Sequence, residues 1–230
     1  MQAKDIMTVD VITARPDTPV EEVARILLNR RISGVPVIDV NGHVIGIVSE
    51  GDLMRRPESD TLRQRSWWLG LVSFPNEQAV RYVKTHGRNA EAVMTRDVLT
   101  ITEETPAREI AEILESRHIK RVPVVRQGKI VGIVSRADLL RALASGDVET
   151  PLNRDDTVIR QAVIDALDRE LGIAVCFVNV IVQDGVVHLW GSVETETERN
   201  AARLAAENSP GVKTVKSYLK LSPAISGGWI

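Results

Sequence analysis

Apolar positions in the first two thirds of the chain fall into two alternating patterns, each met twice. Val20, Val23, Ile26 and Leu27 share one face of a predicted helix whose opposite face carries Glu and Arg, and Ile110, Ile113 and Leu114 do the same further on. Before each helix runs a short extended piece, Val11 to Thr13 and Val98 to Ile101, followed by Thr18-Pro19 or Thr105-Pro106. Threonine there suits the N-cap and proline the first helical position. After each helix, two β-rich runs pair around a turn at Gly42 or Gly128, and a closing helix is predicted from Ser49-x-x-Asp52 or Ser135-x-x-Asp138. The last third differs. Val158, Ile159, Ala162, Val163, Ala166, Leu167 and Leu171 predict an amphipathic helix stopped by Gly172. Cys176, Val178, Val180 and Val182 then alternate on a strand, Asp184-Gly185 signals a hairpin, and Val187 and Leu189 continue the second strand. A helix over about Glu196 to Asn208 and a strand over Val212 to Leu221 complete an αββαβ unit.

The first two patterns are an internal duplication. Met7-Thr8 recurs as Met94-Thr95 and Val35-Pro36-Val37 as Val122-Pro123-Val124, both at an offset of 87 residues. Past the turn the offset is 86, so that Gly46-Ile47-Val48-Ser49 matches Gly132-Ile133-Val134-Ser135 and Asp52-Leu53 matches Asp138-Leu139. A single-residue length change confined to turn residues is what a hairpin loop tolerates.

The order of these motifs resembles the CBS domain, and two copies resemble the CBS pair, or Bateman module. The resemblance implies an α+β fold in which two β-α-β-β-α repeats form one pseudo-twofold module with two symmetry-related clefts. It also implies that the clefts take adenosine-containing ligands: AMP, ADP or ATP, with NAD and S-adenosylmethionine as further candidates. Residues 184–193 (Asp-Gly-Val-Val-x-Leu-x-Gly-x-Val) and Gly211 to Val215 are similar to the BON domain, a small αββαβ unit associated with phospholipid binding or protein attachment. The organisation expected is repeat one over 1–57, a helical insertion over 58–90, repeat two over 91–146, a linker over 147–153, the BON unit over 154–222 and a tail over 223–230.

Ser-x-x-Asp at a helix start is a capping-box variant worth about 0.5–2 kcal/mol on spacing alone. The resemblance adds a second role, in which Asp52 and Asp138 accept from the two ribose hydroxyls with Ser49 and Ser135 nearby, and the two roles are compatible. Neither G-x-x-x-x-G-K-[ST] nor G-x-G-x-x-G occurs, so phosphate must be met otherwise. By resemblance, a basic residue at Lys120 or Arg121 reaches the phosphates; the plain alternative is solvated surface charge. Gly34 stands at the matching place in repeat one, so the two clefts are expected to be unequal. Thr13 and Thr100 are candidate polar contacts. Val35 and Val122, with Val11, Ile12, Val98 and Leu99, are candidate walls for a base that no aromatic can stack on, because residues 1–54 and 91–144 contain no Phe, Tyr or Trp.

The eight aromatics lie elsewhere: Trp67, Trp68, Phe74 and Tyr82 in the insertion, and Phe177, Trp190, Tyr218 and Trp229 near the end. The insertion is expected to form two short helices, with Trp67 and Trp68 either covering an exposed edge or meeting a partner. Composition narrows the classes. A formal net charge of −2 argues against wholesale nucleic-acid binding, and in the BON unit only Lys213, Lys216 and Lys220 form a cationic group. The single cysteine, Cys176, has no disulfide partner or metal spacing and reads as a small buried hydrophobe. His43, His86, His118 and His188 show no metal spacing, no nucleophile has an evident base, and no apolar leader or membrane span is present. The expectation is a non-catalytic cytoplasmic sensor, homodimeric through its CBS pairs, that binds an adenosine nucleotide and signals through the BON unit. The rival is an adaptor whose CBS pair only dimerises and whose BON unit tethers a protein target or phospholipid.

Overall fold

The computed structural model describes residues 1–54, 87–145 and 154–222. Residues 58–86 of the insertion, with Trp67, Trp68 and the two expected helices, the linker and the tail lie outside the described residues. Helices α1 (Ala3–Ile6), α2 (Val20–Arg30), α3 (Glu50–Leu53), α4 (Ala90–Val93), α5 (Ala107–Ser116), α6 (Arg136–Ser145), α7 (Arg154–Asp165) and α8 (Glu196–Asn208) are joined by seven strands. These are β1 (Gly34–Ile38), β2 (Val44–Ser49), β3 (Arg121–Arg126), β4 (Lys129–Ser135), β5 (Val178–Gln183), β6 (Val186–Val193) and β7 (Thr214–Leu221). The mixed α+β architecture is as the sequence predicts. Packing divides the chain into two units, Ile12–Val98 and Met1–Val11 with the chain from Leu99 on.

In the first unit, β1 and β2 pair antiparallel, with Val35 opposite Val48 and Gly34 opposite Ser49. The turn between them is built on Asp39, whose Oδ1 accepts from the amides of Asn41 and His43, both at 2.8 Å. The extended piece before α2 reaches the sheet at one residue only: Ala14 donates to Pro36 O at 2.9 Å and accepts from Ile38 N at 3.0 Å. α2 buries Val20, Val23 and Leu27 against the sheet, forming a core with Val35, Val37, Val48, Ala90, Val93 and Met94. The second unit repeats this with Ile101 bonded to Pro123 and Val125. Its β3–β4 hairpin closes more tightly, through Gln127 at φ 51 and Gly128 at φ 77. That shorter turn absorbs the one-residue difference between the copies.

Two local readings are corrected. Thr18 and Thr105 do not cap the helices; their hydroxyls accept from the amides of Arg15 (2.9 Å) and Thr102 (3.1 Å), stitching the preceding turn. The N-caps are Pro19 and Pro106, so the helices start one residue later, at Val20 and Ala107. A proline cap offers no acceptor side chain, and the threonine meets its own bonding need within the turn.

The openings of the two copies are exchanged. α4, which begins copy two in sequence, docks on copy one: Ala90 N donates to Thr18 O (2.8 Å), and Thr95 and Ile47 exchange both amide bonds at 2.9 and 3.0 Å. Reciprocally, α1 docks on copy two, with Ala3 N on Thr105 O (2.9 Å) and Thr8 and Ile133 exchanging two bonds at 3.0 Å. Each Met-Thr segment thus extends the sheet of the other repeat.

The C-terminal part of the second unit is the expected αββαβ arrangement. β5 and β6 are antiparallel, β7 joins β6 in parallel, and the hairpin turn is Asp184 (φ 52) and Gly185 (φ 78). Asp156 of α7 secures that turn by accepting from both turn amides, at 2.9 and 2.8 Å. One face of the sheet, with Val178, Val180, Val182, Val187 and Leu189, packs under α7 and α8. Three residues depart from expectation. Val158 and Leu171 are exposed at 62% and 39%: the buried face runs through Asp156, Ile159, Arg160, Val163, Ile164 and Leu167 at regular helical spacing and leaves Val158 outside it, and the π turn over Ala166–Glu170 carries Leu171 off it. Cys176 precedes β5 in a turn and is only half buried.

The other face of this sheet is also covered. Ile181 is fully buried within the core of repeat two, beside Ile110, Leu114, Val122 and Val134. Arg160 of α7 lies buried at this junction, donating through Nε to Val180 O (2.8 Å) and through Nη2 to Met7 O (2.9 Å). Burial pushes its guanidinium down to about 10, against the attraction of Asp5, so it remains charged at neutral pH.

Candidate ligand-binding sites

Each Ser-x-x-Asp sits where a strand turns directly into a helix. In repeat one, Ser49 ends β2 and caps α3, and Asp52 Oδ2 accepts from Ser49 N at 2.9 Å and from Ser49 Oγ at 2.6 Å. The capping role is therefore real. It uses one carboxylate oxygen; among the described residues Oδ1 of Asp52 accepts nothing, and the side chain is partly exposed. A carboxylate holds about four acceptor sites, and among the described residues only the two on Oδ2 are used.

Repeat two builds the same cap: Asp138 Oδ2 accepts from Ser135 N (2.8 Å) and Oγ (2.7 Å). Here the second oxygen is filled as well. Arg141 Nη1 donates to Oδ1 at 2.7 Å and Asn179 Nδ2, from β5, at 3.3 Å, and Asp138 is only 2% exposed. Asn179 Nδ2 also donates to Ile6 O at 2.8 Å. Among the described residues the two motifs therefore differ: Oδ1 of Asp138 is met by Arg141 and Asn179, and Oδ1 of Asp52 by none.

The remaining candidates are spread over each repeat. Thr13 is partly exposed and Thr100 exposed; each immediately precedes the residue that bridges to β1 or β3, which places that strand between them and the Ser-x-x-Asp. Arg121 is half buried and pairs directly opposite Ser135, so register brings it beside the second motif. Lys120 is exposed, and its carbonyl accepts from Arg136 N at 3.1 Å. Val35 and Val122 are corrections. Both side chains are fully buried in the cores of their repeats rather than facing solvent, because alternation along β1 and β3 turns them under α2 and α5.

Sequence reading missed Asn179, Arg141 and Arg160. For Asn179 a signal existed: Ile181, two residues on, put an apolar side chain on what a half-buried strand would leave in water. Arg160 carried none, since a cation on an amphipathic helix ordinarily reads as solvated.

Family comparisons fit these elements. The CBS-domain model matches residues 3–59 and 90–145, and the BON-domain model residues 155–223. The chain belongs to the CBS-domain family. Two CBS repeats are followed by one BON domain. An uncharacterized protein of Methanocaldococcus jannaschii is 31% identical over 157 residues, covering 62% of this chain and 91% of that protein. The chloroplastic CBS domain-containing protein CBSX1 of Arabidopsis thaliana is 33% identical over 139 residues; the match covers 58% of this chain and 59% of CBSX1. The crystal structure of CBSX2 in complex with AMP superposes with a TM-score of 0.55 at 28% identity, covering 63% of this chain and 97% of that one. No described helix is long and apolar enough to cross a membrane.

Proposed function

We propose that this protein is a cytoplasmic, non-catalytic sensor whose CBS pair binds an adenosine nucleotide and passes its occupancy to the BON domain or to a partner. The observation that carries this is Asp52: its Oδ2 is held by Ser49, which fixes the carboxylate, while among the described residues nothing donates to Oδ1, the oxygen suited to a ribose hydroxyl. The similarity to a CBS pair that was crystallised with AMP supports the ligand class. Arg121 and Lys120 are the cations suited to phosphate in repeat two, and Thr13 and Thr100 are polar contacts along the extended pieces. A nucleotide shifts the arrangement of the repeats only as far as it binds one arrangement better than another.

Calorimetric titration with AMP, ADP, ATP, NAD and S-adenosylmethionine tests the reading. Binding by at least one of them, weakened about tenfold or more by Asp52→Ala, is expected, since hydrogen bonds to a charged group contribute about 1.5–3 kcal/mol. Absence of heat with every ligand at millimolar concentration overturns it. Sedimentation of the full chain tests the accompanying homodimer.

An adaptor reading draws on a different observation. Lys216, Tyr218 and Lys220 alternate along one face of β7 and are exposed, with Tyr218 stacked on Trp190 at 3.9 Å. Co-sedimentation with anionic vesicles, or capture of a protein target, without any nucleotide dependence would favour it.

A further inference from the structure

The BON sheet reaches into the motif that defines the repeat-two site. Asn179, Trp190 and Tyr218 form one cross-strand row on β5, β6 and β7, and its β5 end lies on repeat two. Asn179 donates to Asp138 Oδ1 and Ile6 O, Trp190 Nε1 donates to Ser145 Oγ at 3.2 Å, and Ile181 fills the repeat-two core. With two donors from Ser135, one from Arg141 and one from Asn179, all four acceptor sites of the Asp138 carboxylate are taken. Arg141 does not set the two repeats apart, because Arg55 stands at the matching place after Asp52. Asn179 does, since a single BON domain supplies it and no described residue takes its place at Asp52.

We propose that Asn179 acts as an internal surrogate for a ribose hydroxyl, so that the docked chain takes one nucleotide, through Asp52, and takes a second, through Asp138, only when the BON sheet lifts from repeat two. The proposal rests on the nucleotide reading above. Docking and occupancy of the Asp138 site exclude each other: a nucleotide there needs the donor position that Asn179 fills, and the 2% exposure of Asp138 leaves it no approach. By linkage, whatever binds Asp138 favours the lifted state, and whatever lifts the sheet favours binding to the same degree. Lifting exposes Ile181 and breaks the Arg160 and Trp190 hydrogen bonds, so a modest nucleotide affinity does not achieve it alone.

The test is the stoichiometry of AMP binding to the full chain by calorimetry, with hydrogen exchange of residues 136–145 measured on the same proteins without ligand. The unaltered chain is expected to bind one AMP per chain and to lose at least tenfold in affinity with Asp52→Ala. Asn179→Asp sets a carboxylate against Asp138; it is expected to speed exchange over 136–145 and to raise the stoichiometry to two. Combined with Asp52→Ala it should retain one site, which Asp138→Ala then removes. Asn179→Ala, which adds no charge, should change both readouts in the same direction to a smaller extent. Two AMP bound by the unaltered chain, or binding lost on Asp138→Ala but not on Asp52→Ala, overturns the proposal and leaves the nucleotide reading standing. Equal exchange in the unaltered and Asn179→Asp chains overturns the docking. Where AMP gives no heat the same proteins are titrated with ADP, ATP, NAD and S-adenosylmethionine, and no heat with any of the five overturns the nucleotide reading itself.

Discussion

The Met7 side chain lies directly over Gly132: a Cβ built on that glycine would stand 2.3 Å from the Met7 sulfur. Met94 covers Gly46 in the same way, at 2.2 Å. Glycine at the centre of β2 and β4 therefore exists for the methionine of the other copy's opening segment, which packs flat on the strand. The Met-Thr and Gly-Ile-Val-Ser motifs, which look like two separate marks of the repeat, are the two sides of one contact made across the duplication.

This contact makes Gly132→Ala destabilising by about 1–3 kcal/mol, the usual cost of overpacking a filled site. Met7→Ala alone removes a buried side chain and costs about 2–5 kcal/mol. Combined, the added methyl occupies part of the space the methionine vacates, and the double variant is expected to lose less than the two single losses together. A double-mutant cycle from urea unfolding checks it; additivity within about 0.5 kcal/mol would mean that the two residues do not share the site.

Asp156 holds the β5–β6 turn by accepting from the amides of Asp184 and Gly185. Gly185 is buried, whereas Asp184 is exposed and its amide can turn to water. Asp156→Ala is therefore expected to cost about 1–3 kcal/mol, the penalty for one buried amide left unpaired. Asp156→Asn keeps a single acceptor oxygen and should fall between. Thermal unfolding, with exchange at the Gly185 amide, measures both; an unchanged melting temperature in the alanine variant would show that water serves the turn as well.

How far the sequence reached depended on whether the relevant neighbour was local. The helix over Glu196–Asn208 and the Asp184-Gly185 hairpin were legible because caps and turns are decided within a few residues. The Ser49 and Ser135 caps were legible for the same reason. The exchange of α1 and α4 was not, because a repeat search aligns each Met-Thr with its own copy and spacing does not say which sheet it joins. Val35 and Val122 were placed at a ligand since their strands border the motif, yet alternation turns them into the cores. The filling of Asp138 was the furthest from view, as Asn179 is 41 residues away and belongs to another domain.

Arg160 ties Met7 O to Val180 O from a buried position. Arg160→Met relieves the desolvation of the charge but leaves two carbonyls with one partner fewer. The net loss is expected to be about 1–3 kcal/mol, from charge-assisted bonds of about 1.5–3 kcal/mol each offset by that relief. Arg160→Lys should not rescue it, because a single ammonium lacks the planar fork that serves both carbonyls at once. Faster hydrogen exchange over residues 3–8 in both variants is the expected reading, and full protection in the lysine variant would show that charge alone suffices.

His188 makes the stability of the C-terminal sheet sensitive to acid. It is 2% exposed, its Nδ1 meets no hydrogen-bond partner among the described residues, and its ring lies near-parallel to Tyr218 at 6.1 Å. Burial pushes its imidazole below the ordinary value of 6.5, and Lys216, paired opposite it on β7, pushes the same way; its neighbour on β5, Ile181, carries no charge. Between 6.5 and the lowered folded value the unfolded chain binds the proton and the folded chain does not. The stability contributed by neutral His188 is therefore complete above 6.5 and is lost as pH falls through the folded value. His188→Phe keeps the packing, removes the unpaired nitrogen and should flatten that part of the pH profile without lowering stability at neutral pH. Urea midpoints measured across mildly acidic pH decide it, an equally steep acid limb in the phenylalanine variant showing that another group titrates there.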